Sequence, residues 1–304
     1  MTGAVPLQAA AAAAATSMCD VQALAFDVGL PEAERRKLRD GGLRAVPIAK
    51  SDLASLIREV VERLAQTDCR AVVFAHSLEL DDTVCGHLVD LLKDAIPSLE
   101  QAPLLLSGRP CSVIHLGVEL AARLWRRKPD GTVLLLGGDV AENHDARFFF
   151  GSAMGDAVVG MMFGGVSVLG DILATSSSWH VVAADGAASS ADDIARFRAE
   201  NPTAIRQTIT DALAKADLTW SDLSAIVPHT PYRTIWDMIA QLCQFPRDRI
   251  LDQGISETGH LNSNDVVVHM IAAIDDGRLS SGDVAALVSQ GFGGARGCTL
   301  VRVS

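Results

Sequence analysis

Short apolar runs alternate with segments of helical period along this chain, and few architectures accommodate that alternation. Residues 52–65 place Leu53, Leu56, Ile57, Val60, Val61 and Leu64 at a period near 3.6, which predicts an amphipathic helix. Residues 71–75 and 103–106 are short and apolar, as buried strands are. Helices are expected over 82–92 and 113–125, with a strand over 133–136. After a middle segment the alternation resumes, with helices over 202–214, 234–242 and 266–274 and strands over 225–227, 284–288 and 298–303. Residues 148–170 hold six glycines among apolar residues, which suits strands and close backbone approach better than helix. Residues 175–190 are small and polar and read as a loop. The alanine run 9–15 reads as a helix or a frayed tail.

The pattern divides the chain into an N-terminal half, 1–165, and a C-terminal half, 166–304. In each, a buried strand leads to a reactive side chain and then a helix: LLLSGRPC in the first, AIVPH in the second. This is a repeat of pattern, not of identity, and it predicts two similar βα halves packed face to face.

Composition narrows the function. Hydrophobic residues make up 49% and charged residues 21% of the 304, as in an ordinary globular protein. A net charge of -11 argues against nucleic acid or an anionic membrane as partner. No stretch approaches the ~20 continuous apolar residues of a membrane span. No Lys or Arg precedes the alanine run, which is also short for the core of a signal peptide. The six cysteines form no CxxC pair and have no metal-ligand spacing, so free thiols in a reducing cytoplasm and no metal site are expected.

Cys111 lies where a strand ends and a helix begins, close to unpaired first-turn amides that favour thiolate. A buried structural cysteine would also fit this position. His229 follows an apolar strand between Pro228 and Pro231, and spacing alone does not show that it meets Cys111. The segment ETGHLNSND crowds His260, Asn262, Asn264 and Asp265 ahead of an apolar helix, where Asn and Asp could simply cap it. Gly291 to Gly297 form a glycine-rich turn between two strands, without the following helix of a phosphate-binding loop.

In this order the pieces resemble the β-ketoacyl-acyl-carrier-protein synthase III branch of the thiolase superfamily. IVPHTPYRTIWDMIAQL is similar to that family's strand, catalytic histidine and helix. DDGRLSSGDVAALVSQGFGGARGCTLVRV resembles its closing strands and oxyanion turn. RPCSVIHLGVELAARL resembles the nucleophile-bearing helix, TVLLLGGDV the strand after it, and GSAMGDAVVGMMF the glycine-rich middle. The resemblance spans roughly residues 45–304. It implies an α/β thiolase-like fold with a layered α/β/α/β/α core.

It also implies Cys111 as the nucleophile that accepts an acyl group and His229 as the catalytic histidine. The oxyanion hole would be the amide of Cys111 with that of Gly294 or a neighbour, donors worth ~2.7 to 4 kcal/mol each. Condensing members carry Gly-Asn where this chain has Gly259-His260, which leaves two readings. In the preferred one Asp265 pairs with His229, a Cys-His-Asp set suited to deprotonating an alcohol or amine. That resembles the family's acyltransferase offshoots in natural-product biosynthesis. In the other, His260 replaces the asparagine as a substrate-binding donor, and C–C condensation is retained. A catalytically silent partner subunit is a third possibility, opposed by the presence of both Cys111 and His229.

The implied donor is an acyl carrier protein or coenzyme A thioester, with a small-molecule acceptor, no resident cofactor and a homodimeric state. Basic residues at 123, 126, 127 and 128, and Arg233 above all, are the expected docking points for an acidic carrier. The apparent shortness of residues 175–200 predicts an open pocket and a bulky acceptor.

Overall fold

The computed structural model describes residues 3–14, 17–49, 52–64, 69–80, 82–149, 151–179, 190–231 and 233–304. The N-terminal half contains strands β1 (Val5–Ala14), β2 (Ser17–Asp20), β3 (Ala45–Ile48), β4 (Cys69–Ala75), β5 (Leu104–Leu106), β6 (Thr132–Asp139), β7 (Phe148–Phe149), β8 (Ser152–Ala153) and β9 (Ala157–Phe163). Its helices are α1 (Val21–Asp27), α2 (Glu32–Asp40), α3 (Leu53–Leu64), α4 (Asp82–Ala95) and α5 (Val113–Arg127). The remainder runs β10 (Gly170–Trp179), α6 (Ala191–Lys215), β11 (Ala225–Pro228), α7 (Thr234–Cys243), α8 (Ile255–Thr258), α9 (Asp265–Asp275), β12 (Val284–Gln290) and β13 (Ala295–Val303).

A nine-stranded sheet is ordered β11-β12-β13-β10-β1-β9-β6-β4-β5. The order is nearly symmetric about the β1–β10 seam. On one side β4 and β6 are parallel and β9 opposes β6; on the other β11 and β12 are parallel and β13 opposes β12. The seam itself is a short antiparallel register, Val5 to Ile172, Pro6 to Asp171 and Leu7 to Gly170.

Side-chain alternation along these strands builds the layers. Val72, Phe74, Leu134 and Leu136 face outward onto α3 and α4. Their neighbours Val73, Val133 and Leu135 face inward, onto Val113, Ile114 and Val118 of α5. In the other half Val227, Ala285 and Leu287 face inward onto Val266, Val267 and Met270 of α9. Ile226, Ala286, Val288 and Leu300 face outward onto α6 and α7. Helices α5 and α9 therefore lie between two half-sheets, each covered outside by its own helices. This is the expected α/β/α/β/α order, and a strand buried on both faces must be apolar throughout, as these runs are.

Two expectations are overturned. The alanine run is neither helix nor tail but β1, paired to β9 from Leu7 to Ala14 near the centre of the sheet; Ala15 is outside the described residues. Alanine favours helix locally, but strand pairing outweighs that preference, and methyl side chains let α3 and α9 approach its two faces. Residues 175–179 are not loop but the end of β10, laddered to β13 as far as Trp179 opposite Ala295. Residues 180–189 of the expected loop and substrate cover lie outside the described residues. Helix α6 begins at Ala191, well ahead of the expected residue 202, and carries Pro202 within it.

Candidate active site

Cys111 occupies a sharp corner between β5 and α5. Its backbone has φ of +56°, a left-handed conformation unusual for a residue with a Cβ. Its N–H donates to Ser77 Oγ (3.2 Å), at the end of the neighbouring β4. Ser77 is held by Asp139, which closes β6 and accepts from the N–H groups of Ser77 (2.7 Å) and Leu78 (2.8 Å). Burial raises the Asp139 carboxyl to about 7, against the lowering effect of those donors. The carboxyl ends of adjacent parallel strands thus converge on the nucleophile, as in other open α/β sheets.

The opposing groups come from the loop ahead of α9. Gly259 has φ of +59° and would carry a Cβ only 2.5 Å from the Ala153 carbonyl oxygen, so glycine is required there. The tight approach lets the next amide, that of His260, donate to the same carbonyl (2.9 Å). His260 Nε2 stands 3.3 Å from Cys111 Sγ, and its Nδ1 lies 2.5 Å from Asp265 Oδ2. Asp265 also accepts from the N–H groups of Leu261 (2.6 Å) and Thr230 (2.8 Å). Cys111, His260 and Asp265 therefore form a continuous buried relay.

The expected pairing of Asp265 with His229 is not formed. The carboxylate reaches the amide of Thr230, one residue beyond His229, and is engaged by His260 from within its own loop. His229 packs edge-on against His260, with ring centroids 5.5 Å apart. Burial lowers its pKa to about 3, leaving a neutral imidazole at neutral pH. Burial also opposes charge on His260, but Asp265 and Cys111 raise its pKa well above the ordinary 6.5. Asp265 loses solvation by burial, yet His260 brings its pKa below the usual carboxylate value. The two edge-on histidines are thus driven in opposite directions, His229 toward the neutral ring and His260 toward the cation.

Asn262 joins the site, with its Oδ1 3.9 Å from Cys111 Sγ and its Nδ2 donating to Met154 Sδ (2.9 Å). Its residue type and motif were visible in the sequence, but its left-handed backbone, φ +56°, was not. Ser77 and Asp139 had no assigned role either; the available signal was an aspartate at the end of a buried strand.

The glycine-rich turn does meet the nucleophile corner. A Cβ on Gly291 would overlap the Pro110 carbonyl oxygen, so only glycine permits the contact. The Gly293 carbonyl accepts from Trp179 Nε1 (2.8 Å). Every peptide here is trans, so the Gly294 N–H of the same peptide unit points away from Trp179. The Gly294 carbonyl accepts from the buried Arg296 (3.1 Å). Of the two expected oxyanion donors, the Cys111 amide is already engaged by Ser77.

Arg233 starts α7, partly buried, with its guanidinium beside Gly42. The basic residues of α5 lie at its far end, ~20 Å along the helix from Cys111. Arg123 pairs with Glu119 there, and Arg126 donates to the Gly3 carbonyl. They do not line the site. Among the described residues no His, Cys, Asp and Glu side chains are grouped as a metal site, and no helix is long and apolar enough to cross a membrane.

Residues 213–303 match the family described as 3-oxoacyl-[acyl-carrier-protein] synthase III C terminal. A β-ketoacyl-[acyl-carrier-protein] synthase III of Paramagnetospirillum magneticum is 27% identical over 134 residues, 42% of this chain and 41% of that protein, so the match spans under half of the relative's length. The solved structure of ChlB3, described as an acyltransferase, superposes with a TM-score of 0.83 at 17% identity, over 99% of this chain and 98% of that one. The 3-oxoacyl-(acyl carrier protein) synthase III, FabH, of Pseudomonas aeruginosa superposes with a TM-score of 0.78 at 18% identity, over the same shares. The chain shares the fold of these structures, and its residues 213–303 are similar to the C-terminal part of the 3-oxoacyl-[acyl-carrier-protein] synthase III family.

Proposed function

We propose that the chain moves an acyl group from a carrier-protein or coenzyme A thioester to a hydroxyl or amine of a natural-product acceptor, by way of a thioester on Cys111. The observation that carries this reading is the relay of His260 between Cys111 Sγ and Asp265. In the first half-reaction His260, as the imidazolium, holds the Cys111 proton on Nε2 while the sulfur attacks the thioester carbonyl. The donor's carbon–sulfur bond breaks, and the departing thiol takes the proton from His260. In the second, His260 removes a proton from the acceptor's O–H or N–H as that atom attacks the acyl carbon. Cys111 leaves and the proton stays on His260. Asp265 stabilises the imidazolium in both steps and holds the ring in register.

The halves 1–165 and 166–304 then divide the work, nucleophile on one and base with glycine turn on the other. Gly294 supplies an oxyanion donor, with Arg233 toward the carrier. The reading includes no resident cofactor, a cytoplasmic location and a homodimer. Decarboxylative condensation is the second reading, favoured by the neutral His229 and by Asn262 beside the same sulfur.

Intact-protein mass spectrometry with a panel of acyl thioesters tests these readings. Wild type should gain the acyl mass and Cys111→Ala should not. His260→Ala should slow acylation by ~10² or more, and by a larger factor than His229→Ala. A malonyl adduct of full mass supports transfer, and loss of carbon dioxide supports condensation. No adduct with any donor would leave a silent subunit.

A further inference from the structure

The corner that carries Cys111 also carries a cation with no counter-charge among the described residues. Arg109 lies two residues ahead of the nucleophile, in the turn between β5 and α5, and its guanidinium carbon stands 6.0 Å from the centre of the Trp179 ring. Trp179 is anchored through Nε1 to the Gly293 carbonyl, and Gly291 of that turn rests on Pro110. Arg109, Pro110, Gly291, Gly293 and Trp179 thereby close a ring of contacts beside the nucleophile. Trp179 is 54% exposed, so this ring reaches the surface.

Among the described residues no carboxylate pairs with Arg109, and its Nη1 is shielded from solvent without a hydrogen-bond partner. A guanidinium stays charged at any physiological pH, and a shielded charged donor without an acceptor is costly. Its planar fork matches a carboxylate or phosphate, and an aromatic face limits the orientations it can take. Elsewhere in the chain a buried guanidinium is satisfied by its own carboxylate, as Arg147 is by Asp156. Among the described residues Arg109 lacks one, two residues from the nucleophile.

We propose that Arg109, steadied by Trp179, receives an anionic oxygen group of the acyl thioester. That group is either a carboxylate on the acyl unit or the phosphate of a pantetheine arm. The proposal rests on the acyl-thioester reading and narrows its substrate class. It also joins donor binding to the glycine turn, because the indole that supports Arg109 holds the Gly293–Gly294 peptide.

The test compares rates of Cys111 acylation, by intact mass, for acetyl and malonyl groups on pantetheine and on phosphopantetheine, in wild type, Arg109→Gln and Arg109→Lys. In Arg109→Gln an anionic-to-neutral rate ratio should fall by about tenfold or more, while Arg109→Lys should keep much of it. A fall in the malonyl-to-acetyl ratio assigns the acyl carboxylate, and a fall in the phosphopantetheine-to-pantetheine ratio assigns the phosphate. If neither ratio moves, the proposal is wrong. If no donor acylates wild type, the acyl-transfer reading fails separately. The iodoacetate-to-iodoacetamide ratio for alkylation of Cys111 then still reads Arg109, and an unchanged ratio in Arg109→Gln overturns the anion site.

Discussion

At the scale of single residues, the site turns on how burial and neighbours divide charge between His229 and His260. Both imidazoles are removed from water, which disfavours a cation. Only His260 gains a carboxylate at hydrogen-bond distance, and that one contact separates a neutral ring from a charged one. The His260 contribution to stability is complete below its unfolded value of 6.5 and is lost as pH rises through its raised folded value. That of Asp265 is complete above 3.8 and is lost as pH falls through its lowered folded value. The pair therefore supports the fold most fully between 3.8 and 6.5. Asp265→Asn should destabilise by on the order of 3 kcal/mol in that window. The Tm difference from wild type should shrink toward alkaline pH, and a pH-independent difference would show that the charge pair is not its cause. Cys111 is legible as a reactive type at a strand end, and His260 with Asp265 as a polar cluster ahead of an apolar helix. Which histidine took the carboxylate was not, because both readings satisfied the same spacing and only the path of residues 259–265 separates them.

At the scale of elements, the nucleophile corner and the glycine turn work as one unit joined by backbone contact. Gly291 has no room for a Cβ against the Pro110 carbonyl, and a backbone clash cannot be relieved by changing a rotamer. Gly291→Ala should therefore displace the turn from the nucleophile and lower the acylation rate by about 10² or more, with little change in circular dichroism. An active variant would exclude the turn from the reaction. Helices α3 and α5 were readable because their own apolar period meets the core. Strands β1 and β10 are misread because polyalanine prefers helix locally and a serine-threonine run reads as loop. Partners β9 and β13, distant in sequence, impose the extended form on them.

At the scale of the molecule, the relay crosses between the halves, Cys111 from one and His260 with Asp265 from the other, so its geometry depends on how α5 and α9 pack. One buried ion pair ties together segments next to the site. Asp156 holds Arg147 through both oxygens (2.7 and 2.8 Å) and accepts from the amides of Ala49 and Ala141. Met154, two residues before it, meets Asn262 at the site. Asp156→Asn should cost ~3–5 kcal/mol by leaving a buried guanidinium uncompensated. Urea unfolding would check this, and partly restored stability in an Arg147→Met/Asp156→Asn variant, which keeps an acceptor for those amides, would identify the stranded charge as the cause.

The alternation of apolar period determined the layers and the doubled plan before any contact was known, because burying a strand on two faces and a helix on one leaves its mark residue by residue. Residue chemistry also marked Cys111, Asp265 and the glycine turn. The central place of β1, the left-handed backbone at Cys111 and Asn262, the partner of Asp265 and the unpaired Arg109 were decided by tertiary structure alone. Each depends on distances between segments far apart in the chain, as His260 and Cys111 are, and no local pattern encodes such a distance.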